Sequence, residues 1–429
     1  MTTTPSLADE PYTPPRWTID LSLNPRDRYR ELAEHYKDQL QELTGLFDEL
    51  LHDIAVPSKW IPTVNRASRL LLRRLYEKSQ TEEIQGISEE SGVPMYLLIA
   101  FNVILDLLMG CTSGGVKSLE KGQLLSAAKM LHFRTLDWSM DPLRRVVVQL
   151  DFVKSKSTAP ERVIATSITY VGFTGVLTGV RPGLSMSLNF RGIHENSTKM
   201  AQFRFYLHHL LVLLGRRPSI ATHLRKYLTG DHEAVEASSR SRWSRMSNAN
   251  QNMQASRPLR LAEIHDDLCK HHTTAAYLIF SDGDTTVSID KDFQTAKPRQ
   301  SQSFIATTNH DVLQHGTEQK ENAILAGDNA VAVRRVAGLE EFIDESEDRL
   351  KCIADRWKRH LAKQRKEVSE NGHFAQAQDS AHGATLTSRQ VVNWVSKYPT
   401  TNEATHYAAV MDPRAGRVIW CLAYPEPPS

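Results

Sequence analysis

The strongest constraint on the fold of this chain is a change of sequence pattern at the dipeptide Gly110-Cys111. Before this point, apolar residues recur at intervals of three or four, which is the spacing of amphipathic helices. After it, short apolar runs rich in β-branched residues alternate with turns containing glycine, aspartate and lysine, which is typical of strands. Helices followed by strands, with later helices around them, predict an α+β protein whose sheets are covered by helices.

The first 110 residues divide into a tail and a helical region. Residues 1–15 are polar and proline-rich and are predicted to be disordered, whereas residues 16–110 are predicted to be mainly helical. Within the second part, residues 17–21 alternate in polarity as a short strand does. The predicted helices span about 26–54, 64–80 and 94–109.

The most apolar segment, residues 94–110, is predicted to be a buried helix. It contains Asn102 and Asp106, and it is shorter than the roughly 20 residues that a transmembrane helix needs. Residues 1–17 lack the basic and apolar regions of a secretory signal. The sequence by itself therefore predicts a cytoplasmic location.

Residues 111–429 form the second predicted region, which contains most of the strands. Two polar stretches of low complexity interrupt it, an insertion at 231–258 and a loose segment at 369–384. A long helix is predicted from about 339 to 368, with its charges exposed to solvent. The predicted strands lie at 112–116, 124–131, 145–153, 162–171, 184–190, 276–280, 285–289, 304–308, 408–411 and 417–422.

Composition excludes several classes of function. The 52 basic and 50 acidic residues nearly cancel, so nothing indicates a nucleic acid or an anionic membrane as the main partner. The four cysteines are far apart and form no CxxC pair, so neither a zinc site nor a dense disulfide framework is predicted. No metal and no cofactor are expected.

The chemistry-bearing residues, taken singly, leave two interpretations open. A lone cysteine such as Cys111 is most often a small buried hydrophobic residue, and less often a nucleophile. Arg134 and Asp137 are compatible with a surface ion pair three residues apart, and Asn309 is compatible with a turn. Composition and spacing do not separate these structural roles from catalysis.

Several short motifs, however, occur in a definite order along the chain. They are Trp17-Thr18-Ile19-Asp20-Leu21, Gly92-Val93-Pro94, Phe101-Asn102, Cys111-Thr112-Ser113, Arg134-Thr135-Leu136-Asp137-Trp138, Tyr170-Val171-Gly172, residues 177–184 and Thr307-Thr308-Asn309-His310-Asp311. The ordered set resembles the acid ceramidase family and its relative N-acylethanolamine acid amidase. In that family a Cys-Thr-Ser start is followed by an Arg-x-x-Asp-aromatic motif.

This resemblance implies an N-terminal nucleophile hydrolase, with an αββα sandwich of two antiparallel sheets behind a helical N-terminal region. It also implies self-cleavage between Gly110 and Cys111, giving a heterodimer of an alpha chain (1–110) and a beta chain (111–429). The freed α-amine, with an ordinary pKa of about 7.7–8.0, can accept the proton of a thiol whose ordinary pKa is about 8.5. Cys111 would then supply both the nucleophile and its base.

The resemblance also assigns roles to other residues. Arg134 would favour the thiolate, and Asp137 would orient the α-ammonium group. Asn309 would donate a hydrogen bond to the oxyanion that forms during attack. A late arginine of the family's pocket is matched by Arg334 or by Arg335, and the sequence does not choose between them.

The implied reaction is the hydrolysis of N-acylsphingosine to a fatty acid and a sphingoid base. The acyl chain would lie beside the glycine-bearing segment 172–183, with Gly172, Leu177 and Phe190 as substrate contacts. Burial of each CH₂ contributes about 0.8 kcal/mol, so a long chain would dominate binding. Phe190 stands where relatives often have an acidic residue, which predicts a more apolar pocket or a different choice of substrate.

Two alternatives remain at this level. One is an amidase for fatty acid ethanolamides with the same mechanism, and the other is a catalytically silent relative that binds lipid or a partner protein. A lipid substrate would bring the protein into transient contact with a membrane surface. Such contact is compatible with a cytoplasmic location and with the lysosomal or vacuolar location that the resemblance implies.

Overall fold

Two β-sheets stacked face to face form the centre of the protein, with helices on both outer faces. The structure, a computed structural model, describes residues 12–46, 58–104, 110–192, 198–230, 258–311, 339–370 and 384–428. The strands in these ranges are β1 (Arg16–Asp20), β2 (Gly110–Ser118), β3 (Lys129–Asp137), β4 (Val147–Val153), β5 (Ala165–Tyr170), β6 (Thr178–Arg181), β7 (Leu184–Phe190), β8 (Thr273–Ser281), β9 (Thr286–Phe293), β10 (Thr295–Ser301), β11 (Phe304–Thr307), β12 (Thr405–Asp412) and β13 (Arg417–Ala423). The α-helices are α1 (Arg30–His35), α2 (Lys37–Glu42), α3 (Ile61–Leu71), α4 (Lys78–Ser91), α5 (Met95–Ile104), α6 (Lys199–Leu213), α7 (Ile220–Thr229), α8 (Leu261–Lys270), α9 (Leu339–Glu370) and α10 (Ser388–Val395).

The two sheets differ in size. The larger has the strand order β1-β4-β5-β6-β7-β8-β9-β10, and the smaller has the order β11-β2-β3-β12-β13. Neighbouring strands are antiparallel except for β1 and β4, which are parallel. Strands β2 and β3 of the smaller sheet face β7 and β8 of the larger one, so the interior between the sheets is lined by these four strands.

Helices cover the outer face of each sheet. Helices α6, α7 and α8 pack against β6, β7, β8 and β10 of the larger sheet. Helices α9 and α10 pack against β2, β11, β3 and β12 of the smaller sheet, over a second apolar core that includes Ile353, Trp357, Val391 and Val395. The predicted α+β class and αββα sandwich of mostly antiparallel sheets are therefore confirmed.

The N-terminal region is mainly helical, as predicted, and it is joined to the larger sheet. Strand β1 adds to the sheet edge beside β4, and Tyr12 forms a bridge with Ala423. The continuous helix predicted at 26–54 is wrong, because α1 ends at His35 and α2 begins at Lys37. At the break, the Tyr36 ring packs edge-on against Trp17, with ring centroids 6.3 Å apart.

Several predictions concern residues beyond the described ranges. Most residues of the tail, most of the insertion 231–258 and most of the segment 369–384 lie outside these ranges, and so do Arg334 and Arg335. Residues 95–104 of the apolar segment form α5. None of the described helices is long and apolar enough to cross a bilayer.

Candidate functional site

Cys111 is the second residue of β2, at the edge of the interior between the two sheets. The sequence of this strand allows unusually close packing because it contains Gly114 and Gly115. A Cβ atom on Gly115 would lie 2.0 Å from the Thr286 hydroxyl of the facing sheet, and one on Gly114 would lie 2.1 Å from the Ile305 carbonyl. Strand β2 can therefore approach both neighbours only because these positions lack side chains.

The Cys111 thiol is completely buried in the apolar core, and several polar groups lie beside it. Its Sγ lies 3.7 Å from the carbonyl oxygen of Leu188 on β7, and its backbone N–H donates to Asn309 Oδ1 at 2.7 Å. Burial raises the pKa of the Cys111 thiol, and this effect outweighs the opposing charges of Arg134 and Arg349. The thiol is therefore protonated at neutral pH, and it needs a base before it can attack.

Arg134 lies beside this thiol on β3, the strand paired with β2. Its Nη1 donates to Leu188 O at 2.7 Å, to Asn189 Oδ1 at 2.7 Å and to Ser113 Oγ at 3.2 Å. The side chain is fully buried, so its positive charge acts in a low-dielectric interior.

Asp137 lies directly opposite Gly110 in the register of β2 and β3. Its Oδ1 accepts a hydrogen bond from Thr405 Oγ1 at 2.7 Å, and its Oδ2 lies 3.8 Å from Arg349 Nε. Burial raises the pKa of Asp137, although Arg349 and Thr405 oppose the shift. The alternative of a surface pair between Arg134 and Asp137 is wrong, because both residues are buried.

Asn309 reaches the site from the loop after β11. Its Oδ1 accepts from Cys111 N, and its Nδ2 donates to the carbonyl oxygen of Phe190 at 2.8 Å. Its own backbone N–H donates to Ser346 Oγ at 2.7 Å, and the residue is 2% exposed. Asn309 is therefore a buried residue of this cluster, on the bend that follows β11.

Helix α9 supplies an arginine that the sequence analysis missed. Arg349 Nη2 donates to Asn309 Oδ1 at 3.2 Å, one helical turn after Ser346. The prediction that the charges of this helix face solvent is wrong for Arg349, which is 2% exposed. The available signal was the apolar stripe of Ile343, Ile353 and Trp357, whose helical spacing places Arg349 on the buried face.

Three buried residues of the site have side-chain polar atoms with no hydrogen-bond partner in the described part of the chain. These are Asp137 Oδ2 and Arg349 Nε, one on each residue, while Arg134 contributes both its Nε and its Nη2, which makes four atoms on three residues. Buried polar atoms are nearly always paired, because an unpaired one costs about 1–3 kcal/mol. Their concentration around one thiol indicates groups that are reserved for a ligand or a reacting molecule.

The predicted substrate contacts are packed against other groups of the protein in this structure. Gly172 has a φ of 88°, and Leu98 Cδ2 lies 3.3 Å from where its Cβ would be. Leu177 is fully buried, and its carbonyl oxygen accepts a hydrogen bond from Leu188 N at 2.9 Å. Phe190 is half-buried, with its carbonyl bound to Asn309. Their contact with a substrate stays a prediction, as does the role of Arg334.

The αββα sandwich has Cys111 near the start of a central strand between the sheets, which is the arrangement that the resemblance to N-terminal nucleophile hydrolases predicts. Residues 12–76 match the family model of the beta subunit of N-acylethanolamine-hydrolyzing acid amidase. An acid ceramidase of Mus musculus is 30% identical over 186 residues, which is 41% of this chain and 45% of that protein. An N-acylethanolamine-hydrolyzing acid amidase of Caenorhabditis elegans is 30% identical over 189 residues, 42% of this chain and 48% of that protein.

The chain is therefore similar, over these residues, to members of the acid ceramidase and N-acylethanolamine acid amidase family. The matched part spans about half the length of these curated relatives. The solved structure of a Caenorhabditis elegans N-acylethanolamine-hydrolyzing acid amidase ortholog is also similar, at 19% identity and a TM-score of 0.40. That similarity covers 71% of this chain and 93% of the other.

Proposed function

We propose that this protein hydrolyses a lipid amide of the ceramide type, converting N-acylsphingosine and water to a fatty acid and a sphingoid base. The observation that carries the proposal is the set of groups around the Cys111 sulfur. Guanidinium groups, a carboxylate and a carboxamide converge on one buried thiol from β3, the loop after β11 and α9.

Self-cleavage is the first proposed step. The Cys111 sulfur attacks the carbonyl carbon of Gly110, the bond from that carbon to Cys111 N breaks, and the nitrogen takes up a proton. Water then hydrolyses the resulting thioester, which leaves a carboxylate on Gly110 and a free amine and thiol on Cys111. The register that places Asp137 opposite Gly110 supports this step, because it brings a carboxylate with a raised pKa to the bond that breaks.

Lipid hydrolysis follows the same chemistry with the free amine as the base. The amine takes the thiol proton, the sulfur forms a bond to the amide carbon, and the sphingoid amine leaves with that proton. Water then releases the fatty acid from the acyl-thioester. Arg134 and Arg349 stabilise negative charge on sulfur, Asp137 orients the ammonium group, and Asn309 donates to the oxyanion.

Contacts across the cut would hold the two fragments together. Glu83 of α4 is buried and accepts hydrogen bonds from Arg225 Nη1 and Nη2 of α7, both at 2.6 Å. Arg225 also donates to Thr174 O at 2.6 Å, and Arg28 Nη1 donates to Glu83 at 2.9 Å. The forked geometry of this pair would fix the orientation of the two fragments relative to each other.

An apolar surface on α3 and α6 supports a lipid substrate. Both helices contact α5, and they expose the following side chains: Leu70, Leu71, Met200, Phe203, Tyr206, Leu207 and Leu210. The sequences 58–74 and 198–230 contain lysine and arginine but no acidic residue. Apolar and basic groups together favour the surface of an anionic bilayer, from which the substrate would be taken.

The proposed function is tested by assaying one preparation in two ways. N-terminal sequencing should find a new terminus at Cys111, and mass spectrometry of the products should show hydrolysis of N-acylsphingosine in anionic vesicles. Faster hydrolysis of fatty acid ethanolamides would replace the proposed substrate and keep the mechanism. An uncut chain that hydrolyses neither substrate would contradict the proposal and favour a silent binding protein.

Replacing Arg349 with methionine should lower hydrolysis by about 10²–10³-fold, the usual effect of losing one charge-stabilising donor. The same change at Lys358, an exposed residue of the same helix, should leave the rate unchanged. Arg334→Met and Arg335→Met test the arginines expected from sequence. If either of them loses activity while Arg349→Met keeps it, the assignment of Arg349 is wrong.

A further inference from the structure

Three consecutive residues at the end of β7 form hydrogen bonds with the last residue of β11 and with the loop that follows it. Strand β11 belongs to the smaller sheet, and β7 belongs to the larger one. Asn189 Nδ2 donates to the carbonyl oxygens of Thr307 and Thr308 at 3.0 and 3.2 Å. The next residue, Phe190, accepts from Asn309 Nδ2 at 2.8 Å. These contacts fix the distance between the two sheets at the point where Asn309 meets Cys111.

The third residue, Arg191, forms the strongest of these contacts. Its Nε donates to Asp311 Oδ1 at 2.8 Å, and its Nη2 donates to Asp311 Oδ2 at 2.7 Å. Such a forked pair restricts both groups to one relative orientation, which a lysine in the place of arginine does not achieve. Arg191 is 4% exposed, whereas the Asp311 side chain is 33% exposed, so only the guanidinium side of the pair is shielded from water.

The larger sheet holds this ion pair from two further strands. The Tyr277 hydroxyl of β8 donates to Asp311 Oδ1 at 2.6 Å, and Asp292 Oδ2 of β9 lies 3.7 Å from Arg191 Nη1. Burial alone would raise the pKa of Asp311, but Arg191 and Tyr277 hold that pKa below its usual range. Asp311 is therefore ionised at neutral pH, and the ion pair is complete.

We propose that the Arg191–Asp311 ion pair is a positioning element that holds Asn309 against Cys111. Asn309 lies between β11 and Asp311, so fixing Asp311 fixes the second end of a very short loop. Within the described residues, the hydrogen bonds and ion pairs of Arg191 and Asp311 do not reach Cys111, so the pair acts through Asn309. The catalytic meaning of this inference rests on the proposed function.

Replacing Arg191 with lysine keeps the charge and removes the forked geometry. We expect kcat to fall by about 100-fold, which is the usual cost of a 1 Å displacement of a catalytic group. The KM should stay within about threefold, because neither Arg191 nor Asp311 is a predicted substrate contact. A matched control is Arg16→Lys, since Arg16 Nε and Nη2 both donate to Asp151 at the distant sheet edge. This control should keep the kcat of the wild type.

The inference would be overturned if the kcat of Arg191→Lys stayed within about twofold of the wild type. It would also be overturned if the loss of kcat matched the loss of folded protein measured by near-UV circular dichroism. If Arg191→Lys does not fold, Tyr277→Phe removes a single hydrogen bond to Asp311 and should lower kcat about tenfold. An unchanged kcat in Tyr277→Phe would then count against the inference.

Hydrogen exchange separates this inference from the proposed function. In the uncut Cys111→Ala protein, peptides covering residues 307–311 should exchange faster after Arg191→Lys than before it, and Arg16→Lys should cause no change. Unchanged exchange after Arg191→Lys overturns the positioning role whether or not the wild type hydrolyses lipids. Absent hydrolysis with accelerated exchange overturns only the catalytic proposal.

Discussion

Replacing Cys111 with alanine is expected to leave the chain uncut at 429 residues and to reduce lipid amide hydrolysis to background. Loss of the attacking group in nucleophilic hydrolases costs about 10⁶-fold in turnover. Both effects have the same origin in the proposed mechanism, since one sulfur atom attacks first its own chain and then the lipid. Intact mass spectrometry reports the first effect, and release of fatty acid reports the second.

Cys421 provides the matched control for this substitution. It is a second buried free cysteine in the same sheet, on β13, and burial raises the pKa of its thiol as well. The pKa of that thiol is raised by burial, whereas the pKa of the Cys111 thiol also reflects Arg134, Asp137 and Arg349. Cys421→Ala should therefore keep cleavage and activity. A Cys111→Ala protein that is still cut at residue 110 would disprove self-cleavage by this thiol.

The fold could be predicted from local pattern because its elements follow simple periodicities. The strand at 184–190 coincides with β7, and the Asp-Gly turn at 282–283 joins β8 to β9. Errors arose where local pattern does not decide the structure. The predicted strand at 124–131 is wrong over residues 125–127, which form a 3₁₀ turn, because several local conformations suit an exposed apolar segment such as Leu124-Leu125.

The site was only partly predictable, because its residues come together through tertiary packing. Cys111, Arg134, Asp137 and Asn309 were identified by their motifs, and the structure places all four in one cluster. Arg349 carries no motif of its own and lies in a helix rich in charges. Which charge of that helix is buried depends on how the helix rotates against β2 and β11, and short-range sequence does not determine this rotation.

Four buried histidines predict that acid will unfold the protein. His132 lies between the sheets, with its two ring nitrogens 2.8 and 2.9 Å from the hydroxyls of Ser185 and Ser187. Burial lowers the pKa of His132 to about 3, and the nearby charge of Arg134 adds to this.

The other three histidines are buried in different parts of the fold. Burial lowers the pKa values of His208 and His223 to about 3, with further contributions from neighbouring histidines. Burial also lowers the pKa of His406 well below its ordinary value. The Nδ1 atom of its ring lies 2.8 Å from the Tyr170 hydroxyl, within hydrogen-bond distance. The neutral form of each ring is therefore the one that the folded state accommodates.

The sign of the pH dependence follows from these directions. Each histidine has a lower pKa in the folded state than the value of about 6.5 in the unfolded chain, so its contribution to stability is complete above pH 6.5. That contribution is lost as the pH falls from 6.5 towards 3, because the unfolded chain binds the protons first. The loss is about 1.4 kcal/mol per pH unit for each histidine, and four histidines lose about 5–6 kcal/mol per unit.

Since typical domains have a free energy of unfolding of about 5–15 kcal/mol, the protein should unfold between about pH 6 and pH 4. Circular dichroism during an acid titration measures this midpoint. His132→Gln should move it to lower pH, because one of the four proton-binding groups is removed, whereas His35→Gln at an exposed position should leave it unchanged. A protein that stays folded and cooperative at pH 4 would show that these histidines are protonated without cost in the native state, contrary to their burial.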